Sequence, residues 1–217
     1  MILDFSKTYS FDEFRDLNDN TLWPVLHEGS FISGVEYDSE NFRIIPMPQV
    51  VVGREVVVSK LTKRLEIHCE LHKIKGWTTT SQGGFVFDGD VRAPDVAFIP
   101  KTLLREATYR SLFHFDGEPI HPSFLIEVED LTDKRKLDAL RQKVYKYFQV
   151  PEVQECWLVD FWNNRVIIVK PEEGRRLRKI RLEFDEHLMD TESVLVSGDA
   201  AGHFTVRWGA LRQEIYG

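Results

Sequence analysis

The sequence predicts an α/β fold, a single domain in which a mixed central sheet is flanked by helices. Two segments, at 50–74 and 133–149, carry apolar residues at helical spacing, and the segments around them have the shorter period of strands. The length of 217 residues suits one domain of ordinary size. We expect an N-terminal helix and hairpin over 1–49, a core over 50–170, and C-terminal strands and a helix over 171–217.

The N-terminal region is predicted to begin with a short helix. Ser10 and Glu13 have the spacing of a capping box, in which each side chain bonds the other residue's backbone N–H. Strand-like segments follow at 31–37 and 41–46, separated by the polar residues 38–40. This arrangement predicts a hairpin.

The core is predicted to open with a long amphipathic helix, because apolar residues recur every fourth position. Gly76 lies where this helix is expected to stop. The residues of the apolar stripe are Val57, Leu61, Leu65 and Cys69.

Strands are predicted from residue 77 onward, at 78–80, 85–87 and 91–99, joined by a glycine-containing turn. A short helix at 102–107 and a loop lead to another strand at 124–130. The helix at 133–149 comes next, with one apolar face and basic residues elsewhere. Strands at 155–161 and 166–169, and further strands within 176–206, complete the pattern.

Two acids lie inside strand patterns that read as buried. Asp95 follows Pro94 in RAPDVAFI at 92–99, and Glu127 lies within FLIEVED at 124–130. A buried carboxylate costs several kcal/mol unless it is paired or holds a metal. Because proline cannot donate to a ladder and favours a strand start, Asp95 is expected at an accessible strand end. The pair therefore indicates a metal site.

Glu129 is a candidate third ligand. It is two residues from Glu127, so in a strand both acids point to one face while Ile126 and Val128 point to the core. If the two acidic strands are neighbours, Asp95, Glu127 and Glu129 can converge on one hard cation. Mg²⁺ is the expected ion, with Mn²⁺ as a substitute.

The order of these motifs resembles the Uma-two family of restriction endonucleases, a branch of the PD-(D/E)XK nuclease superfamily. The resemblance covers about 78–169. It implies a restriction-endonuclease-like fold and hydrolysis of DNA phosphodiester bonds with Mg²⁺. The motifs that carry it are RAPDV from Arg92, FLIEV from Phe124, Lys143-x-x-x-Tyr147, and ECWLVD from Glu155.

The resemblance also implies roles for single residues. Asp95 matches the metal-binding aspartate, and Glu127 matches the acid that opens the (D/E)XK element. Glu129 stands where the superfamily has lysine. In this branch the lysine comes from the following helix, where Lys143 matches, and Gln142 is a weaker candidate. Such a lysine would hold the attacking water or the charge on the phosphate.

The superfamily often uses one more acid, on the first core helix. Glu55 is the best match for this acid, and Glu66 and Glu70 are rivals.

Each candidate also has an ordinary structural interpretation. Asp95 after a proline could form a turn or cap a helix. Glu127 could be an exposed acid on an edge strand, and Glu129 could belong to the strand-to-helix turn. Lys143 lies on a helix rich in basic residues and could be a solvated charge.

Other features limit the class of protein. His68 and His72 are four residues apart, but no third zinc ligand is evident. Cys69 and Cys156 are expected to be buried thiols. No glycine-rich phosphate loop predicts an organic cofactor, and no apolar stretch approaches a membrane span. The N-terminus lacks the pattern of a signal peptide, so a cytoplasmic protein is expected.

DNA is the expected partner, although the net charge of −7 weakens that prediction because duplex binding usually needs a basic face. The basic run at 175–181 could contact phosphates or form a solvated edge strand. A homodimer is compatible with cutting both strands. The alternative function is a weak or inactive nuclease fold that binds nucleic acid or protein.

Overall fold

The computed structural model describes residues 3–105, 107–115, 117–172 and 180–217. The helices are α1 (Phe11–Asn20), α2 (Val52–Leu71), α3 (Tyr109–Phe113), α4 (Lys134–Tyr147) and α5 (Trp208–Tyr216). The strands are β1 (Val25–His27), β2 (Ser30–Asp38), β3 (Arg43–Pro48), β4 (Gly76–Thr80), β5 (Phe85–Phe87), β6 (Asp90–Arg92), β7 (Val96–Pro100), β8 (Phe124–Val128), β9 (Glu155–Asp160), β10 (Arg165–Pro171), β11 (Leu182–Leu188), β12 (Val194–Val196) and β13 (Thr205–Arg207).

A six-stranded mixed sheet forms the centre, in the order β11-β10-β9-β8-β7-β4. Only β8 and β9 run parallel within it, and α4 connects them, as a parallel pair requires a crossover. The other neighbours are antiparallel. Every residue of β8 and β9 is buried, because both faces of these central strands are covered.

The two faces of this sheet pack against different helices. On one face, α2 and α5 contribute Leu65 and Leu211 to a core cluster with Phe124 and Ile126 of β8. On the other face, α4 packs over Leu125. The helical spacing in the sequence accounts for this packing, since the buried residues of α2 include Val57, Leu61, Leu65 and Cys69, as predicted.

The predicted helix starts are confirmed. Ser10 and Glu13 form the capping box of α1. Asp133 caps α4 by accepting hydrogen bonds from the N–H groups of Arg135 and Lys136. The predicted hairpin is also confirmed, as the pair β2 and β3.

A second sheet holds the N-terminal strands in the order β1-β2-β6-β5. β3 pairs with the edge of β2 opposite to the one that pairs with β1 and β6. Phe14 and Leu17 of α1 pack against Tyr37 of β2. The chain leaves the central sheet after β4, adds β5 and β6 to this second sheet, and returns as β7. Residues 93–95 make that passage, so they lie where the two sheets meet.

Three of the predicted helices and strands differ from the structure. The expected strand at 91–99 is divided between the two sheets, because Pro94 interrupts the ladder. The expected helix at 102–107 is wrong, since 101–105 form turns and the short helix is α3. The first core helix ends at Leu71, with Lys73 at a φ of 58°, and Gly76 instead begins β4.

Residues 175–179 of the predicted basic run lie outside the described residues. Among the residues that are described, no helix has the length and apolar character needed to cross a bilayer.

Candidate active site

Asp95 and Glu127 lie at the same end of two adjacent strands. In the antiparallel pairing of β7 with β8, Val96 lies opposite Ile126. The same register places Asp95 opposite Glu127, and directly opposed residues have Cβ atoms about 4.5–5.5 Å apart. The Val128 N–H donates to Asp95 Oδ2 at 2.7 Å and links the strands at this point. The two acids are therefore neighbours.

Glu127 is held from α4. It is only 2% exposed, and the Lys143 ammonium lies 3.1 Å from Oε1 and 3.4 Å from Oε2. Tyr147 donates its hydroxyl to Oε1. Residues four apart share one side of a helix, so α4 presents both donors to the same carboxylate.

Asp95 is held by a residue of α2, the helix that packs on the other face of the sheet from α4. Arg54 Nη2 lies 2.9 Å from Oδ2 and 3.2 Å from Oδ1 of Asp95. The same guanidinium donates through Nη1 to Glu129 Oε2 at 3.1 Å. Glu129 also accepts from the Lys136 ammonium at 2.9 Å. Arg54 thus bridges two of the three acids that the sequence predicted as metal ligands.

The predicted convergence of three acids is not seen. Within the described residues, no group of three or more His, Cys, Asp or Glu side chains is arranged to hold a metal ion. Glu129 follows the end of β8 and engages two basic side chains. Asp95 and Glu127 are the pair that the sheet register brings together.

The strand that carries Glu127 does not have one acidic and one apolar face, contrary to expectation. Ile126 and Val128 pack in the cluster beneath α2, and Leu125 packs in the cluster beneath α4. Glu127 is on the same side as Leu125, since side chains alternate along a strand. It is not an exposed edge acid, because β8 is a central strand.

Glu36 of β2 completes the surroundings of Lys143. Glu36 Oε1 lies 3.1 Å from the Lys143 ammonium and accepts the Ala93 N–H at 2.9 Å. Lys143 also donates to the Ala93 carbonyl at 2.9 Å. Lys143 is therefore not a solvated charge, because two carboxylates and a carbonyl surround it.

The electrostatics of the pair follow from burial. Burial raises the pKa of Glu127 to about 7, although Lys143 opposes the shift; the charge of Asp95 adds to it. Burial alone would lower the pKa of Lys143, but the surrounding carboxylates, Glu127 first, raise it above its ordinary value. Lys143 is thus charged at neutral pH, and Glu127 can gain or lose a proton there.

Two adjoining clefts give access to these residues. One has a volume of about 570 Å³ and is bordered by Glu127 and Glu129, and the other has about 460 Å³ and is bordered by Asp95. Glu36, Arg54 and Lys143 line both clefts.

Of the proposed helix acids, Glu55 is the one near the site. It is exposed in the first turn of α2 and borders the same cleft as Asp95. Glu66 is about three turns further along the helix, where it accepts a hydrogen bond from Thr78 Oγ1 at 2.7 Å. Gln142 borders the larger cleft.

The remaining candidates do not form a site among the described residues. His68 Nε2 lies 2.9 Å from the Gly202 carbonyl oxygen, and the rings of His68 and His72 pack 4.4 Å apart without a third ligand. Cys69 and Cys156 are buried free thiols, as expected.

Sequence reasoning missed Arg54 and Glu36 and treated Tyr147 as core. Glu36 carries the signal that identified Glu127, an acid within an apolar strand, VEY at 35–37. Arg54 has no comparable signal, because a single arginine near a helix start is common. Tyr147 is buried, as expected, but its hydroxyl bonds Glu127.

Comparison with known proteins supports the nuclease interpretation. The solved structure of a putative nuclease belonging to DUF820, from Anabaena variabilis, superposes with a TM-score of 0.64 over 94% of this chain and 98% of that one, at 14% identity. This likeness confirms the predicted α/β nuclease-like fold. No curated protein matches the chain. The model of a family described as "Uma2: Putative restriction endonuclease" matches residues 34–199. The match covers most of the chain, which therefore belongs to the Uma2 family.

Proposed function

We propose that this protein is a Mg²⁺-dependent DNA endonuclease, with Mn²⁺ as a substitute ion. The observation that carries the proposal is the contact of the Lys143 ammonium with Glu127, at the strand ends where Glu127 and Asp95 are neighbours. Phosphodiester hydrolysis needs acids for a metal and a cation for the charge on the phosphate at one point. Membership of the Uma2 family supports a nucleic-acid substrate.

The donor atoms suit a divalent metal. Carboxylate oxygens are the ligands that Mg²⁺ and Mn²⁺ prefer. Burial raises the pKa of Glu127 to about 7, so its ionised form is poorly solvated and a bound cation would stabilise it. Asp95 and Glu127 would hold the ion, and Glu129 would join them only on leaving its contacts with Arg54 and Lys136. Bound Mg²⁺ supplies charge stabilisation and lowers the pKa of a water.

Lys143 acts as a cation and not as a base in this proposal. Its raised pKa keeps the ammonium protonated at neutral pH. Its three N–H groups contact Glu36, Glu127 and the Ala93 carbonyl, so it would exchange one of these contacts for a phosphate oxygen or the attacking water. Glu55, which borders the cleft of Asp95, would contact a water or the substrate.

A second candidate function is nucleic-acid or protein binding without cleavage. The observation in its favour is that Arg54 already neutralises Asp95 and Glu129. The acids would then be structural ion pairs.

Plasmid nicking with Mg²⁺ or Mn²⁺ tests the proposal. We expect Asp95→Ala and Lys143→Ala to abolish nicking, whereas Lys134→Ala, an exposed residue of the same helix, leaves it unchanged. Metal-dependent nicking that survives both substitutions would overturn the mechanism. An inactive wild-type protein that still binds DNA would favour the binding function.

The same proposal includes a cytoplasmic single-domain protein that cuts both strands as a homodimer. A solution mass of two chains and one cooperative unfolding transition are the expected results.

A further inference from the structure

A line of depressions runs from the candidate site along the edge strand β4. The cleft that contains Asp95 is also lined by Gln82. Gln82 and Trp77 both line a neighbouring depression of about 460 Å³. Trp77 in turn borders a third, of about 470 Å³, together with Lys75, Lys101 and Arg105. Successive depressions share a lining residue, so they follow one another as a path along the sheet edge.

The far end of this path, which we call the basic notch, is defined by Lys75, Trp77, Lys101 and Arg105. Its position is fixed by the sheet, because Gly76 pairs with Pro100 and the Lys101 N–H donates to the Lys75 carbonyl at 2.8 Å. Trp77 pairs with Ile99, which is four residues along the chain from Asp95, a separation of about 13 Å at about 3.3 Å per residue.

The three cations of the basic notch are exposed. In the part of the chain that the structure describes, none of Lys75, Lys101 and Arg105 has an ion pair. The cations of the candidate site differ, since Arg54, Lys136 and Lys143 all contact acids. In a chain with a net charge of −7, such a group of unpaired cations favours a polyanion.

Trp77 gives this surface a second property. Its side chain is 50% exposed on the outermost strand of the sheet, next to the cations. A partly exposed indole offers a flat face on which an unpaired base can stack, and cations beside it contact the phosphates of the same strand. A base-paired nucleotide cannot offer its face in this way, so the combination favours a single strand.

We propose that the basic notch binds an unpaired stretch of the nucleic-acid substrate about four stacked nucleotides from the cleaved phosphate, taking about 3.4 Å per nucleotide along a strand. The base stacks on Trp77, and Lys75, Lys101 and Arg105 contact the phosphates. The inference rests on the proposed function for the identity of the substrate and adds a preference for substrates with a single-stranded segment.

Binding of a labelled single strand of about 12 nucleotides, long enough to reach both sites, tests the proposal by fluorescence anisotropy. EDTA is present throughout, so cleavage does not interfere. We expect Trp77→Ala to weaken binding by about 5- to 150-fold, the range for loss of one stacked base, without changing the salt dependence.

The charge variant K75Q/K101Q/R105Q should behave differently. Loss of three phosphate contacts is expected to reduce the slope of log affinity against log salt by about 2, at about 0.7 for each contact with a single strand. The matched control K63Q/R181Q/R207Q removes the same charge from three exposed residues elsewhere. This control should change the slope of log affinity against log salt much less.

Equal effects of the notch variant and the control would overturn the proposal, as would a wild-type protein that binds blunt duplex as tightly as the single strand. Asp95→Ala and Lys143→Ala separate this result from the proposed function. They are expected to abolish nicking and keep notch-dependent binding. If nicking depends on Lys143 but the notch variants bind the single strand as tightly as the wild type, the basic notch is not a binding site. The proposed nuclease function would then still stand.

Discussion

Replacing Arg54 with glutamine removes the cation that joins Asp95 to Glu129. The wild-type guanidinium makes three hydrogen bonds to these carboxylates, at 2.9, 3.1 and 3.2 Å. Loss of one partner of a buried ion pair costs about 3–5 kcal/mol. The cost here should be lower, about 2–3 kcal/mol, because the Arg54 side chain is 22% exposed and the acids keep the Val128 N–H and Lys136.

The same substitution should strengthen metal binding. Arg54 and a divalent ion compete for Asp95, so removal of the arginine leaves the carboxylate free for the ion. A tenfold change in metal affinity corresponds to only about 1.4 kcal/mol of binding free energy. We therefore expect Arg54→Gln to bind Mn²⁺ at least about tenfold more tightly while being less stable without it.

Urea unfolding in EDTA and isothermal titration with Mn²⁺ measure the two effects. Arg64→Gln is the matched control, since Arg64 is also on α2, is 26% exposed and pairs with Glu214 at 2.7 Å. This more exposed pair should contribute less than about 1 kcal/mol and should not alter Mn²⁺ affinity. If both variants show the same stability and the same Mn²⁺ affinity, Arg54 does not compete with a metal.

Further predictions concern protonation, packing and the cleft rim. The pKa of Glu127 is about 7, so a proton competes with the metal below that pH. The affinity for Mn²⁺ should therefore rise about tenfold per pH unit up to about pH 7 and then level off. An affinity for Mn²⁺ that does not change with pH would exclude Glu127 as a ligand. Between about pH 4.5 and 7, Glu127 binds a proton in the folded protein but not in the unfolded one, so the free energy of unfolding should fall as pH rises through that window. In urea titrations, Glu127→Gln should remove this dependence of the unfolding free energy on pH. Tyr147→Phe deletes a hydrogen bond that lowers the pKa of Glu127, so the break in the Mn²⁺ profile should move to higher pH; an unmoved break would contradict the contact. Leu65→Ala should cost about 2–5 kcal/mol because Leu65 is fully buried, whereas the exposed Glu55→Ala should change stability by less than about 0.5 kcal/mol, and similar urea midpoints for the two would contradict the packing.

The helices and central strands could be predicted because their residues interact locally or repeat with a clear period. Residues of α2 and α4 recur every three or four positions, and their buried sides are those that the period predicts. Glu127 stood out because an acid in an apolar run requires a partner. The register between β7 and β8 makes Asp95 a neighbour of Glu127, and the sequence alone could not predict that register.

The parts that could not be predicted depend on contacts between distant segments. Arg54 meets Asp95 across 41 positions of the chain, and Glu36 meets Ala93 across 57. No local pattern encodes such pairs. The division of 91–99 between two sheets is similar, because Pro94 predicts an interruption but not the sheet that β6 joins.

The position of Glu36 has a consequence for shortened or recombined versions of this protein. A fragment that begins at α2 would keep Asp95, Glu127 and Lys143, yet it would lose one of the two carboxylates around Lys143 and the strand that pairs with β6. The N-terminal sheet is therefore not an appendage that can be trimmed or exchanged freely. A relative's N-terminal region could replace it only if it carried an acid at the place of Glu36.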